Sequence, residues 1–271
     1  MLYEQFTLRN IDYVPAELQN KIRNTTVLIA GCGIGSCFAE VAVRLGFENF
    51  ILADGDIISD HNLNRQCFTA NDIGKLKVKA LAERLKAINP SAEVKEITEY
   101  ISKKNVVQIV KDADIVFDTI DFLDLTAIIE LHDECGKQRK HLITALAIGW
   151  GAGCIYFPPD SKCSFRQILS LPLEGSIDGF GYSETFSKFI YRLQKQLDPT
   201  VLNAVSKALL FMDDGTPCPA SQVSPGAYAV GSFVGTLVVR ILSGLPVLPA
   251  PNLLIVDMQK SLTNNALNML E

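Results

Sequence analysis

The sequence has only three histidines, one tryptophan and no two cysteines in a C-x-x-C arrangement. These shortages remove the cysteine pairs of a four-cysteine zinc site and leave little for a histidine-based metal centre. The seven cysteines, at 32, 37, 67, 135, 154, 163 and 218, are odd in number and scattered. Met1 to Asn10 lacks a basic start followed by an apolar stretch, so the cysteines read as reduced thiols of a cytoplasmic protein rather than an exported disulfide frame. Positive charge is short as well: 25 Lys and Arg stand against 30 Asp and Glu, a net charge of −5. Nucleic-acid surfaces need clustered cations, so no nucleic-acid partner is expected. Charge of either sign is missing from Gly215 to Val239, but Pro217, Pro219 and Pro225 interrupt that stretch and Arg240 ends it. A spanning helix wants about 20 predominantly apolar residues, so no membrane span is expected. Internal repeats and low-complexity linkers are absent too. With 48% apolar residues over 271 positions, there is enough chain to bury a full α/β core.

Short β-branched runs alternate with helical spacing through the first half. Thr25 to Ala30, Phe50 to Ala53, Glu93 to Ile97, Ile115 to Asp118 and His141 to Ala145 read as strands. Helices are expected at 17–23, 36–45, 75–87, 103–110 and 125–135. This is the signature of a doubly wound, Rossmann-like α/β sheet with helices on both faces. Gly149 to Phe157 reads as extended chain, Ser183 to Met212 as helical with a break at Pro199, and Leu253 to Asp257 as a last strand. Ala227 to Leu242 reads as a helix whose Gly231 and Gly235 allow close packing, internal or between subunits. The expected organisation is an N-terminal arm and helix (1–24), the Rossmann-like region (25–157), and a C-terminal extension (158–271) holding a helical insertion at about 175–214.

Gly31-Cys32-Gly33-Ile34-Gly35-Ser36 lies between the first strand and the first long helix. Glycines there admit positive φ and let backbone N–H groups approach a phosphate at a helix N-terminus. Asp54 ends the next strand, where a carboxylate can bond a ribose hydroxyl. Taken alone, these features suit NAD, FAD, S-adenosylmethionine or ATP. The next residues discriminate: Asp54-Gly55-Asp56, then Asn62-Leu63-Asn64-Arg65-Gln66, Gly74-Lys75-Leu76-Lys77, and Asp118-Thr119-Ile120-Asp121. A dehydrogenase has no use for an arginine, a lysine and a second acidic cluster around its pyrophosphate. An enzyme that adenylates a carboxylate does, because cations neutralise charge on the phosphates and an acid can hold Mg²⁺.

In these motifs the sequence resembles the ThiF/MoeB/E1 superfamily, the ubiquitin-activating-type adenylating enzymes, most strongly over Arg9 to Gly153 and Pro219 to Gly244. The resemblance implies ATP and Mg²⁺ as cofactors, with Gly31, Gly33 and Gly35 cradling phosphate and Asp54 binding the ribose. Asp56 and Gln66 fall within the same Asp-x-Asp…Asn-Leu-x-Arg-Gln signature. It further implies that Asn62 and Arg65 contact the phosphates, that Lys77 contacts the α- and β-phosphates, and that Asp121 coordinates Mg²⁺. Arg9 matches an N-terminal arginine that reaches the partner's ATP site, which implies a homodimer. The implied substrate is the C-terminus of a ubiquitin-like protein or a peptide.

The sequence departs from the pattern in four places. The glycine loop is one residue short, Phe122 replaces an Asn, and Thr126 replaces an Arg. Cys163 stands where a zinc-binding pair begins but Arg166 occupies the pair's second position, so no zinc site is expected. Cys218 lies where some relatives form a thioester, although a buried free cysteine also behaves as a small apolar residue. His61 reads as a hydrogen-bonding bystander, His132 and His141 have no ligand spacing, and Trp150 either lines the cleft or sits in the core. Two rival classes stay open on sequence alone, an NAD-dependent oxidoreductase and a non-catalytic scaffold subunit of an E1-like complex.

Overall fold

A computed structural model describes residues 2–180, 182–195, 197–212 and 221–264. A single turn, α1 (Tyr3–Phe6), precedes α2 (Ala16–Asn24), which delivers the chain into β1 (Thr26–Ala30). There follow α3 (Gly35–Leu45), β2 (Asn49–Ala53), α4 (Lys77–Ile88), β3 (Glu93–Ile97), α5 (Val106–Lys111), β4 (Ile115–Asp118), α6 (Leu125–Lys137) and β5 (His141–Ile148). The chain continues through β6 (Gly151–Phe157), α7 (Phe165–Leu169), α8 (Tyr182–Leu193), α9 (Pro199–Met212), α10 (Ser224–Leu242), β7 (Leu253–Asp257) and α11 (Met258–Asn264).

The seven strands form one sheet in the order β3-β2-β1-β4-β5-β6-β7, and the ladders from β3 to β5 are all parallel. Successive side chains of a strand face opposite sides, so a sheet covered on both faces needs apolar residues at every position. In β1, Val27 and Ile29 enter a core closed by α2, α3, α4 and α10, while Leu28 and Ala30 enter the opposite core under α5 to α9. This is the doubly wound arrangement that the alternating sequence pattern predicts.

Element ends differ from the sequence-based expectation for local reasons. The helix expected from Lys75 begins at Lys77, because an Ile57–Leu76 bridge and the Ile58 N–H to Lys75 carbonyl bond hold 75–76 extended. Val106, not Lys103, opens α5, since the Asn105 Oδ1 accepts from the Ser102 N–H and makes a turn there. The break expected at Pro199 is present: α8 ends at Leu193 and α9 opens on Pro199. Its missing N–H costs nothing in a first turn, and Asp198 caps the helix through the Thr200 N–H. The strand expected to end at Ala145 runs on to Ile148, because β6 folds back antiparallel on it through the Gly149–Trp150 turn.

α10 is long and apolar enough to span a membrane by length and composition alone. Here it packs inside the fold against α3, β5 and β6. A methyl group at Gly231 would sit 2.7 Å from the Cys37 carbonyl oxygen, and one at Gly235 would sit 2.7 Å from Val41 Cγ1, both on α3. The Gly-x-x-x-Gly spacing therefore serves an internal helix contact. Ala is favoured over Gly by roughly 1 kcal/mol inside an exposed helix. At position 231 the clash should reverse that sign, so Gly231→Ala is expected to destabilise by about 1–3 kcal/mol. A lower urea midpoint at unchanged m-value would show it.

Candidate active site

A cavity of about 830 Å³ opens along the carboxyl ends of the parallel strands, the position where doubly wound sheets bind ligands. Its walls follow the strand order. Asp54 and Asp56 leave β2, with Tyr100 and Ile101 beyond β3, and Gly31, Gly33 and Ile34 leave β1. Thr119 to Asp124 leave β4, Ala145 to Trp150 belong to the β5 end, and α8 and α9 close the far side.

The glycine turn is set by sterics and by one carboxylate. Gly31 has φ of +89°, and a Cβ there would lie 2.5 Å from the Thr119 carbonyl oxygen. Asp54 is buried, and its two oxygens accept from the Cys32 N–H at 2.7 Å and the Asp56 N–H at 2.8 Å. Burial pushes its carboxyl above the usual value, with the Lys77 charge acting the other way. Gly33 and Ile34 bring the head of α3 to the cavity, while the Ser36 and Cys37 N–H groups behind them are taken by the Gly33 and Ile34 carbonyls.

Lys77 is the first residue of α4 and is buried, and its Nζ donates to Asp56 Oδ2 at 2.6 Å. Lys75 instead reaches Asp72 and Glu83 on the surface, and Lys79 is exposed. Burial alone would push the Asp56 carboxyl up. The bonds from Lys77 and from the Tyr100 hydroxyl overcome it and hold that carboxyl below its usual value. The same bond pushes Tyr100 up to about 12.

Arg65 lines the cavity and is tethered by its Nε to Gln222 Oε1, by Nη1 to the His61 carbonyl at 2.8 Å and to Asn64 Oδ1 at 2.9 Å. Burial draws its guanidinium below the usual value, against the favourable charge of Asp121. Its backbone is held to α3, since Cys37 Sγ bonds the Arg65 carbonyl and the Cys67 N–H donates to Ser36 Oγ. Gln66 lies against Gly33, and its buried Oε1 has no hydrogen-bond partner among the described residues. Asp121 is exposed on the cavity wall, its Oδ1 accepting from the Leu123 N–H.

Three predicted residues are not walls of this cavity. Gly35 is packed beneath it against Ile29 and Thr119. Asn62 is buried and closes a turn by accepting from the Ser59 N–H at 3.0 Å. Arg9 is exposed on the arm, on the short turn Leu8–Asn10. Trp150 takes the cleft alternative, 41% exposed and on the wall. Arg166, standing in the zinc-pair position, is buried, salt-bridged to Asp133 at 2.8 Å and bonded to the Pro172 and Gly175 carbonyls. Cys218 lies outside the described residues.

A family model described as the ThiF family matches residues 7–269. The chain belongs to the ThiF family. Among its relatives, the sulfur carrier protein ThiS adenylyltransferase of Bacillus subtilis (strain 168) is 28% identical over 163 residues, 58% of this chain and 48% of its own. The chain spans about half the length of the curated relatives it matches. Solved structures share the fold. PaaA has a TM-score of 0.66 at 21% identity, covering 95% of this chain and 77% of its own. E. coli MccB with ATP has a TM-score of 0.62 at 21% identity, covering 85% of this chain and 60% of its own.

Several supporting residues gave no sequence signal of their own. Asp118, read only as the start of an acidic run, is buried and accepts from Thr144 Oγ1 at 3.0 Å and from the Ile120 N–H at 3.1 Å. His132 Nε2 lies 3.1 Å from its Oδ2, with the ring stacked on Phe165. This cluster anchors the loop that carries Asp121. His132→Ala removes a partner of a buried carboxylate and leaves a ring-sized gap, so a loss of about 3–5 kcal/mol is expected in denaturant titration.

The Asp56–Lys77 pair yields a pH prediction with a definite sign. A carboxyl held low in the folded state stabilises above its unfolded value, and the benefit is lost as pH falls through the folded value. The stability gap between the parent protein and Asp56→Asn should therefore be widest near neutrality and shrink as pH drops below about 4. Asp54, shifted the opposite way, is raised in small part by the Asp56 charge, so its relaxation in Asp56→Asn offsets a little of that gap without changing its sign. A gap that is flat from pH 7 to pH 3 would refute the assignment.

Proposed function

We propose that the chain adenylates a carboxylate, joining it to the α-phosphate of ATP with release of pyrophosphate. The observation that carries this reading is the convergence of Lys77, Arg65 and Asp121 on one cavity roofed by the Gly31–Gly33 turn. Such a set suits charge building on phosphates, and it has no task in hydride transfer. Gly33 and Ile34 at the head of α3 would meet the phosphates. Asp54, with lone pairs left after its two backbone bonds, would take a ribose hydroxyl, and the unpartnered Gln66 amide offers the nucleotide a further polar contact.

No protein nucleophile is needed for the first step. A carboxylate oxygen attacks the α-phosphorus while the bond to the bridging oxygen of the β-phosphate breaks. Lys77 and Arg65 hold the phosphates in line and offset the added charge, which is catalysis by positioning and electrostatics. Lys77 must exchange part of its bond to Asp56 for phosphate, so Asp56 keeps the ammonium placed before ATP arrives. Among the described residues no group of three His, Cys, Asp or Glu can hold a metal ion by itself. That suits Mg²⁺ arriving on the nucleotide, since this ion is commonly bound by one or two carboxylates plus substrate phosphates. Asp121 would hold it, and its charge would neutralise the polyphosphate.

The proposed substrate is the C-terminus of a ubiquitin-like protein or a peptide, in line with relatives named as acting on a sulfur carrier protein and a neighbour solved with the peptide MccA. The exposed Arg9 is assigned to the ATP site of a second copy, giving a homodimer, in the cytoplasm where the cysteines stay reduced. Calorimetry with Mg·ATP and NAD in parallel, followed by pyrophosphate–ATP exchange, tests the reading. Mg·ATP should bind and NAD should not, and Lys77→Ala and Asp121→Ala should each lower exchange about 10²–10³-fold. Binding of NAD alone would sink the proposal.

A further inference from the structure

The cavity changes character at β4. Every charged side chain on the described wall (Asp54, Asp56, Arg65, Lys77, Asp121, Asp124) comes from the β2 and β4 ends, α4 or the Arg65 loop. Past Asp124 the wall turns apolar where α8 and α9 supply it. Phe122 meets Phe186 edge-on with centroids 5.0 Å apart. Phe189, Leu193, Val201 and Val205 carry the surface onward. The only polar side chain that α8 and α9 add to the described wall is Thr200. The chamber is braced from the sheet side, because a methyl at Gly149 would lie 2.3 Å from Val201 Cγ2, so α9 sits directly on the β5–β6 turn.

This arrangement fixes where each part of an acyl substrate can go. The carboxylate must reach the phosphates beside Lys77 and Asp121, at the boundary between the polar and apolar halves. The group attached to it then extends toward β5 and the α8–α9 chamber. A tail ending in glycine has no side chain to cover those apolar walls. Among the described residues of α8 and α9 that line the chamber, a charged side chain would lose its hydration and meet no ionic partner. Resting on the adenylation reading above, we propose that the substrate is a peptide tail whose terminal residue is bulky and apolar, of the Leu, Ile or Phe kind. Phe122, which replaces the polar residue usual in this family, then acts as a specificity-determining wall. Association of apolar surface with apolar surface supplies the preference, without directional bonds.

The test uses pyrophosphate–ATP exchange by the full chain with N-blocked pentapeptides identical except for a last residue of Leu, Phe, Gly or Asp. Leu- and Phe-ended peptides should exceed the Gly-ended one by about tenfold or more in kcat/KM, and the Asp-ended peptide should be poorest. Ala204→Phe, which fills the chamber, should lower exchange with the Phe-ended peptide about tenfold and narrow the gap to Gly. Phe189→Ala, which enlarges it, should shift preference toward the larger side chain. Calorimetry with Mg·ATP accompanies each variant to show that the nucleotide half is intact. Gly- or Asp-ended peptides matching Leu would overturn the proposal, as would selectivity left unmoved by both variants. ATP binding without exchange on any peptide would also overturn it while leaving the nucleotide site standing. Failure to bind ATP at all would remove the adenylation reading beneath it.

Discussion

The Asp54 carboxylate ties together the two chain segments on which the polar half of the site is built. One oxygen takes the Cys32 N–H in the glycine turn after β1, and the other takes the Asp56 N–H after β2. Neither segment is in regular structure there, so those N–H groups have no ladder partner, and burying them unpaired would cost about 1–3 kcal/mol each. With the turn and the β2 exit locked together, Asp56 is fixed where its own carboxylate reaches Lys77 and Tyr100. The ammonium of Lys77 is thereby placed in the cavity although it stands at a helix N-terminus, where the macrodipole opposes positive charge. That unfavourable placement is tolerable because two carboxylates lie beside it.

How much of this could be seen in the sequence follows from the range of each interaction. The strands were legible because a sheet buried on both faces writes itself as a run of consecutive apolar residues. Asp54, Arg65, Lys77 and Asp121 were legible because a shared motif records them, and the fold brings all four to one cavity. Asn62 belongs to the same motif, yet its carboxamide oxygen is spent within three residues, closing the Ser59 turn that leads to Arg65. The partners that came as new information are distant in sequence. Tyr100 meets Asp56 from the far side of β3, Gln222 meets Arg65 from the approach to α10, and Asp118, His132 and Thr144 meet from three separate elements. No local pattern encodes such contacts, because they depend on strand order rather than on neighbouring residues. Arg166 shows the converse: its position suggested only a lost zinc ligand, and the structure gives it a buried salt bridge and two carbonyls to hold.

The placement of Arg9 turns on the same kind of constraint. The arm that carries it is pinned to its own subunit: Asn10 Nδ2 donates to the Gln19 side chain and the Leu45 carbonyl, and Tyr3 donates to the Gly46 carbonyl. Arg23 lies over the Tyr3 ring. Those bonds hold Arg9 at the α2–α3 corner, on an exposed surface and off the wall of its own cavity. An arginine fixed there does not line its own cavity, which is compatible with the proposed role in a second copy. Detachment of the arm would break the three hydrogen bonds just named and the Arg23–Tyr3 contact, a cost that a single phosphate contact would have to repay. The anchoring of the arm thus bears on the proposed shared site through residues that the motif itself does not contain.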